Sequence, residues 1–140
     1  MDIVKYIVKT VYDELGPSFS ESVYHRAIEV LLRENGIPYE TERIVPVIFH
    51  GYTIGNMRAD LVIRDPQMVV ELKSTRSLTE PNRNQIRSYL RLMDIDNGLL
   101  VNFGSFDGLQ MELISGKCGQ SPTAQPSRVL DLDSPPPDSQ

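Results

Sequence analysis

Apolar residues recur at helical spacing over residues 2–15, where Val4, Ile7, Val8, Val11 and Leu15 fall on one face. The spacing predicts an amphipathic helix that Gly16-Pro17 breaks. A second helix is expected from Phe19 to Asn35, with Tyr24, Ala27, Ile28 and Leu31 as its apolar stripe and Gly36 as its stop signal. The pattern then turns β-rich. Ile44 to Phe49 and Tyr52 to Ile63 read as a hairpin joined at His50-Gly51, and Pro46 marks the first of them as an edge strand or a bulge. After Asp65-Pro66, the run from Met68 to Leu72 is apolar enough for a buried strand. A third helix over Arg83 to Met93 buries Ile86, Leu90 and Met93, and strands follow at Leu99 to Phe103 and Leu109 to Ile114. The order predicts an α/β fold, a central mixed β-sheet flanked by helices.

Composition changes after Ile114. Residues 115–140 hold five of the ten prolines among Ser, Gln and Gly, so 1–114 reads as the folded domain and 115–140 as a disordered tail. Within the tail, 129–133 (Val-Leu-Asp-Leu-Asp) has the look of a short linear motif, a pattern too common to identify one. The single cysteine, Cys118, excludes an internal disulfide framework and a cysteine-based zinc site. With no long apolar run and no apolar core in the first residues, the chain is expected to be soluble, intracellular and cytoplasmic.

Charge narrows the chemistry. The chain carries 14 basic and 19 acidic side chains, a net charge of -5, so any nucleic-acid contact needs a local basic patch. Residues 58–91 provide one: seven basic and four acidic side chains, while 1–57 hold five against eight and 92–114 none against four. There is no Gly-rich phosphate loop, no nucleophile elbow and no histidine pair at metal spacing. Carboxylates, Lys and Arg are left.

Glu71 and Lys73 are two apart on a strand and so leave the same face. Antiparallel pairing about Asp65-Pro66 brings Asp60 beside Glu71. Two convergent carboxylates suit a hard divalent cation, and Lys73 nearby can either orient a water or stabilise developing charge. The competing reading is structural: a solvent-side Glu71–Lys73 pair, with Asp60 bridged to Arg58 or Arg64. Glu21 is the third acid. It is either the far end of a Ser18-x-x-Glu21 capping box or a carboxylate reaching over the sheet toward Asp60, and spacing alone does not decide. On the third helix Gln85 and Tyr89 share a face, beside a stripe of Arg83, Arg87 and Arg91 with Arg76 just before it.

Asp60 followed by Glu71-Leu72-Lys73 resembles the core of the PD-(D/E)XK nuclease superfamily. The wider run is similar to its GxxExxY branch, through Leu15-Gly16-Pro17, Glu21-Ser22-Val23-Tyr24, Arg58-Ala59-Asp60-Leu61, Leu78-Thr79 and Leu99 to Gly104. Gln85 with Tyr89 is similar to the RecB-like subgroup. Ser18 stands where the branch has glycine, Ala59 where the superfamily has proline, and Asn82 where the branch has histidine. The resemblance implies a restriction-endonuclease-like core. It further implies magnesium, with manganese able to substitute, held by Glu21, Asp60, Glu71 and the Leu72 carbonyl, and Lys73 in the catalytic role.

The expected activity is hydrolysis of DNA phosphodiester bonds with little sequence preference, in repair or recombination, with Gln85, Tyr89, Arg83 and Arg87 supporting the substrate. A homodimer or a partner protein would help so small a domain hold DNA. Two rivals come from other classes: a nucleic-acid-binding module without turnover, and an interaction adaptor working through the tail.

Overall fold

A computed structural model of the chain describes residues 2–116. The first amphipathic stretch forms α1 (Asp2–Leu15), with Val4, Ile7, Val8 and Val11 buried as their spacing requires. Leu15 departs from that expectation at 37% exposed, because it lies in the last turn, just before the chain leaves the helix at Gly16.

The second helix, α2 (Glu21–Glu34), begins two residues later than the spacing suggested. Its N-cap is Ser20, which accepts from the Val23 amide. The Ser18–Glu21 capping box does not form. Ser18 sits at φ 85, outside the helix, and Glu21 is the first helical residue rather than the third. Tyr24, Ile28 and Leu32 supply the buried stripe, with Ala27 and Leu31 packed beside them.

The hairpin turns at His50 and Gly51, both at positive φ, as expected, but its first strand, β1 (Tyr39–Phe49), starts five residues before Ile44; β2 is Tyr52–Arg64. Strand β1 lies at an edge of the described sheet, which accommodates Pro46, and its register shifts between Val47 and Ile48. β3 (Gln67–Lys73) follows a turn containing a cis Asp65–Pro66 peptide.

Helix α3 (Glu80–Met93) starts earlier than its apolar pattern implied, because Thr79 caps it and Pro81 fits its first turn. Asn82 completes the cap, its Oδ1 accepting from the Thr79 amide. Met93 is half-buried rather than fully buried. β4 (Asn97–Asn102) and β5 (Gln110–Ser115) complete the sheet, β5 running through Ser115 into the segment that composition assigned to the tail. Residues 117–140, the rest of that segment, lie outside the described residues.

The sheet order is β1-β2-β3-β4-β5. All neighbours are antiparallel except β3 and β4, which run parallel because α3 crosses between them, so the sheet is mixed and the fold α/β. One face of the sheet packs on α1 and α2 through Leu61, Ile63, Val70, Leu99 and Val101. The other packs on α3 through Ala59, Val62, Val69 and Leu100 against Ile86, Tyr89 and Leu90. Gly98 permits the close approach of α3, since a Cβ there would lie 2.8 Å from Ile86 Cδ1. Among the described residues no helix is long and apolar enough to cross a membrane.

Candidate active site

The site begins where the β2–β3 ladder stops. Regular pairing runs from Arg64↔Gln67 to Leu61↔Val70; at the next step, side chains replace the ladder bonds. The Asp60 amide donates to Glu71 Oε2 at 2.8 Å, and the Leu72 amide donates to Asp60 Oδ2 at 2.9 Å. Each carboxylate is thereby locked to the other residue's strand. Across β2, Glu42 of β1 takes φ 51, a kink opposite Asp60. Two acids are held side by side by backbone donors rather than by opposite charge.

That arrangement is electrostatically expensive. Glu71 is 3% exposed, and its carboxyl is pushed up to about 8. Burial is the main cause and the neighbouring Asp60 the second; Glu21 adds to the rise, and the Asp60 amide and Lys73 oppose it. Tyr89 is pushed up to about 12, first by burial and then by Glu71 and Asp60. Its hydroxyl donates to the Arg58 carbonyl, tying α3 to β2 two residues before Asp60.

Lys73 leaves β3 on the same side as Glu71, as the strand period requires. Its Nζ donates to Gln85 Oε1 at 3.1 Å. Gln85 and Tyr89, four apart on α3, thus grip two different parts of the site.

Glu21 reaches the same end of β3 from α2. The Ser74 amide donates to its Oε2 at 3.1 Å, and a carboxylate in the first turn of a helix is favoured by the helix dipole. Its position depends on Tyr24, whose ring stacks on Phe103 with centroids 4.0 Å apart and planes 5° from parallel. The Tyr24 hydroxyl donates to the Gly16 carbonyl at 2.6 Å and accepts from the Phe19 amide at 3.3 Å, which fastens the loop leading into Glu21.

Two arginines of the α3 stripe are already engaged. Arg83 makes a two-pronged pair with Glu112 of β5, Nε to Oε1 at 2.7 Å and Nη2 to Oε2 at 2.9 Å. Arg87 contacts Glu80 and Asn84, each at 2.8 Å. A cleft of about 590 Å³, between α2 and β1, contains Glu29 and Glu42, but these are paired: Glu29 with His25 and Arg33, Glu42 with Arg58. It does not include Asp60, Glu71 or Lys73.

Two residues of the site were not identified from sequence as part of it. Ser74 was visible only as the residue after Lys73. Asn102 is fully buried; its Oδ1 accepts from the Thr75 and Gly104 amides and its Nδ2 donates to the Thr75 carbonyl and to Gln110. The signal was there: a lone amide at the end of an otherwise apolar strand must be satisfied or functional.

Among the described residues, no three His, Cys, Asp or Glu side chains form a ready metal cage. The donor set fits a looser arrangement. Asp60 and Glu71 each use one oxygen on a backbone amide, and among the described residues the second oxygen of each accepts no hydrogen bond. A hard cation that keeps several waters needs only one or two such carboxylates.

The family model of the PD-(D/E)XK nuclease superfamily matches residues 1–113. Among solved structures, the crystal structure of SSO0001 is similar: 27% identical over 67% of this chain, with a TM-score of 0.54. The match covers 48% of that protein, so this chain spans about half its length. No curated protein matches the chain.

Proposed function

Because the chain belongs to the PD-(D/E)XK nuclease superfamily, we propose that its acidic cluster serves a magnesium-dependent deoxyribonuclease that hydrolyses phosphodiester bonds with little sequence preference. The observation that carries this reading is the buried Glu71 locked beside Asp60, with Lys73 on the same strand face. Ionising both carboxyls side by side in a buried place is costly, and a bound cation would offset that cost. GxxExxY and RecB-like affiliation, a role in DNA repair or recombination, and a cytoplasmic location belong to the same proposal.

In this mechanism Asp60, Glu71 and the Leu72 carbonyl would hold the magnesium ion, with Glu21 as a further carboxylate at the same strand end. When bound, the ion offsets charge on the phosphate and makes water a stronger acid. Lys73 Nζ, oriented by Gln85, positions the attacking water and stabilises charge on the phosphate oxygens. Tyr89 keeps β2 in place through the Arg58 carbonyl, so that Asp60 does not drift from Glu71. Arg83 and Arg87 contribute to the field that attracts DNA, their guanidinium groups being occupied by Glu112 and Glu80.

The test is cleavage of labelled single- and double-stranded DNA with magnesium, and then with chelator. Wild type should cut only with metal, and Glu71→Ala should be inert. If both are equally inert across metals and substrates, the enzyme reading fails. One observation favours a second reading, a nucleic-acid-binding module without turnover: the lack of a three-ligand metal cage among the described residues. Binding without cleavage, unaffected by Asp60→Ala, would select it.

A further inference from the structure

Phe106 stands out among the exposed apolar side chains because the turn that carries it is so well built. The ring is 86% exposed. Next to it Ser105 is buried, its Oγ accepting from the Asp107 amide and its carbonyl from the Gly108 amide. Gly108, at φ 102, closes the turn. Gly104 lies so close to the loop after Lys73 that a Cβ there would come within 2.6 Å of the Thr75 nitrogen. Asn102 bonds to Thr75 and Gly104 together. The exposed ring is therefore mounted on a turn fastened to the strand end that bears Lys73.

One exposed phenylalanine is ordinary. The surroundings of this one are not. The Arg76 guanidinium carbon lies 5.5 Å from the ring centroid, and among the described residues Arg76 has no carboxylate partner. Both residues line a cleft of about 440 Å³, together with Ser18, Ser74 and Phe103. Ser74 is the residue whose amide holds Glu21. The cleft thus adjoins the residue that anchors Glu21, and its wall carries an aromatic face and an arginine that has no carboxylate partner among the described residues.

We propose that Phe106 and Arg76 form a subsite for an unpaired nucleobase, the base stacking on the Phe106 ring while Arg76 meets the adjoining phosphate. This deepens the nuclease reading and rests on it for the identity of the ligand. A base inside a duplex is already stacked on both faces, so the subsite selects single-stranded nucleic acid or a frayed end. Stacking reads the π-face that every base has, so the subsite imposes little sequence preference.

The experiment uses the full chain with chelator present to prevent turnover. A short single-stranded oligodeoxynucleotide containing 2-aminopurine reports stacking by fluorescence quenching, and its duplex serves as the parallel probe. Wild type should quench the single strand. Phe106→Ala should bind that strand roughly ten-fold more weakly with little change on the duplex, and Phe106→Trp should restore binding. Equal binding by wild type and Phe106→Ala overturns the proposal, as does the absence of quenching by wild type. Self-association that Phe106→Ala abolishes, without any quenching by DNA, assigns the ring to a protein contact and also overturns it. Magnesium-dependent cleavage is scored separately. If cleavage persists while the stacking effect is absent, only the subsite fails; if stacking holds while cleavage is absent, the subsite stands without the nuclease.

Discussion

Two charged clusters lie on either side of α3, and they satisfy their carboxylates in opposite ways. Toward β5, Glu112 and Glu80 face Arg83 and Arg87, and hydrogen bonds from these guanidinium groups hold both carboxyls below their ordinary value. Toward β2 and β3, Asp60 and Glu71 face each other, and burial with mutual repulsion pushes Glu71 up to about 8. The first cluster is complete as it stands. The second is held by backbone amides, with no basic side chain bonded to either carboxylate among the described residues. Charge alone does not distinguish a functional acid from a structural one; the chemistry of its partners does.

Removing a carboxylate from the second cluster should have the largest consequence. Glu71→Gln keeps the shape of the side chain and removes its charge. Cleavage is expected to fall by roughly 10²- to 10³-fold, the range for losing a preorganised electrostatic group. Single-turnover rates with saturating magnesium measure it; retention of wild-type rate would erase the contrast between the clusters.

The same residue should leave a signature in stability without metal. Its folded value lies above the ordinary 4.5, so the folded state holds the proton more tightly than the unfolded chain. The resulting stability is fully present below about pH 4.5 and is lost as pH rises through about 8. At about 1.4 kcal/mol per unit, a few kcal/mol of unfolding free energy should disappear across that window. Urea titrations at stepped pH, with chelator, should show this decline in wild type and a flatter profile in Glu71→Gln. Equal slopes would mean that Glu71 is not strained.

A smaller effect is expected one layer out. Gln85→Ala frees Lys73 Nζ from its hydrogen bond and should lower the cleavage rate roughly ten-fold with little change in Tm. The smallest belongs to the first cluster. Arg83→Ala should shift Tm by only a few °C, because it removes one half-buried surface ion pair and no core contact. It should weaken DNA binding only a few-fold, because the Arg83 guanidinium is already paired with Glu112. A loss of activity comparable to that of Glu71→Gln would place Arg83 in the catalytic machinery instead.

Much of this was legible in the residues. The α1 stripe, the His50-Gly51 turn and the buried run of β3 follow from period and turn chemistry. The meeting of Asp60 and Glu71 follows from counting back from Asp65-Pro66. What was hidden depends on distant partners or backbone detail. Ser20 rather than Ser18 caps α2 because Ser18 takes a left-handed φ after Gly16-Pro17, which composition does not reveal. The pairing of Arg83 needs Glu112, 29 residues further on and brought near only when β5 joins the sheet. Asn82, which the resemblance marked as a departure from histidine, is explained by its place in the α3 cap.

The most direct measurement is anomalous diffraction from crystals of the wild-type chain soaked in manganese. The account predicts a peak bridging Asp60 and Glu71, absent in Glu71→Gln. A fully soaked wild-type crystal with no peak there, or with manganese bound elsewhere while these oxygens face only water, would contradict it.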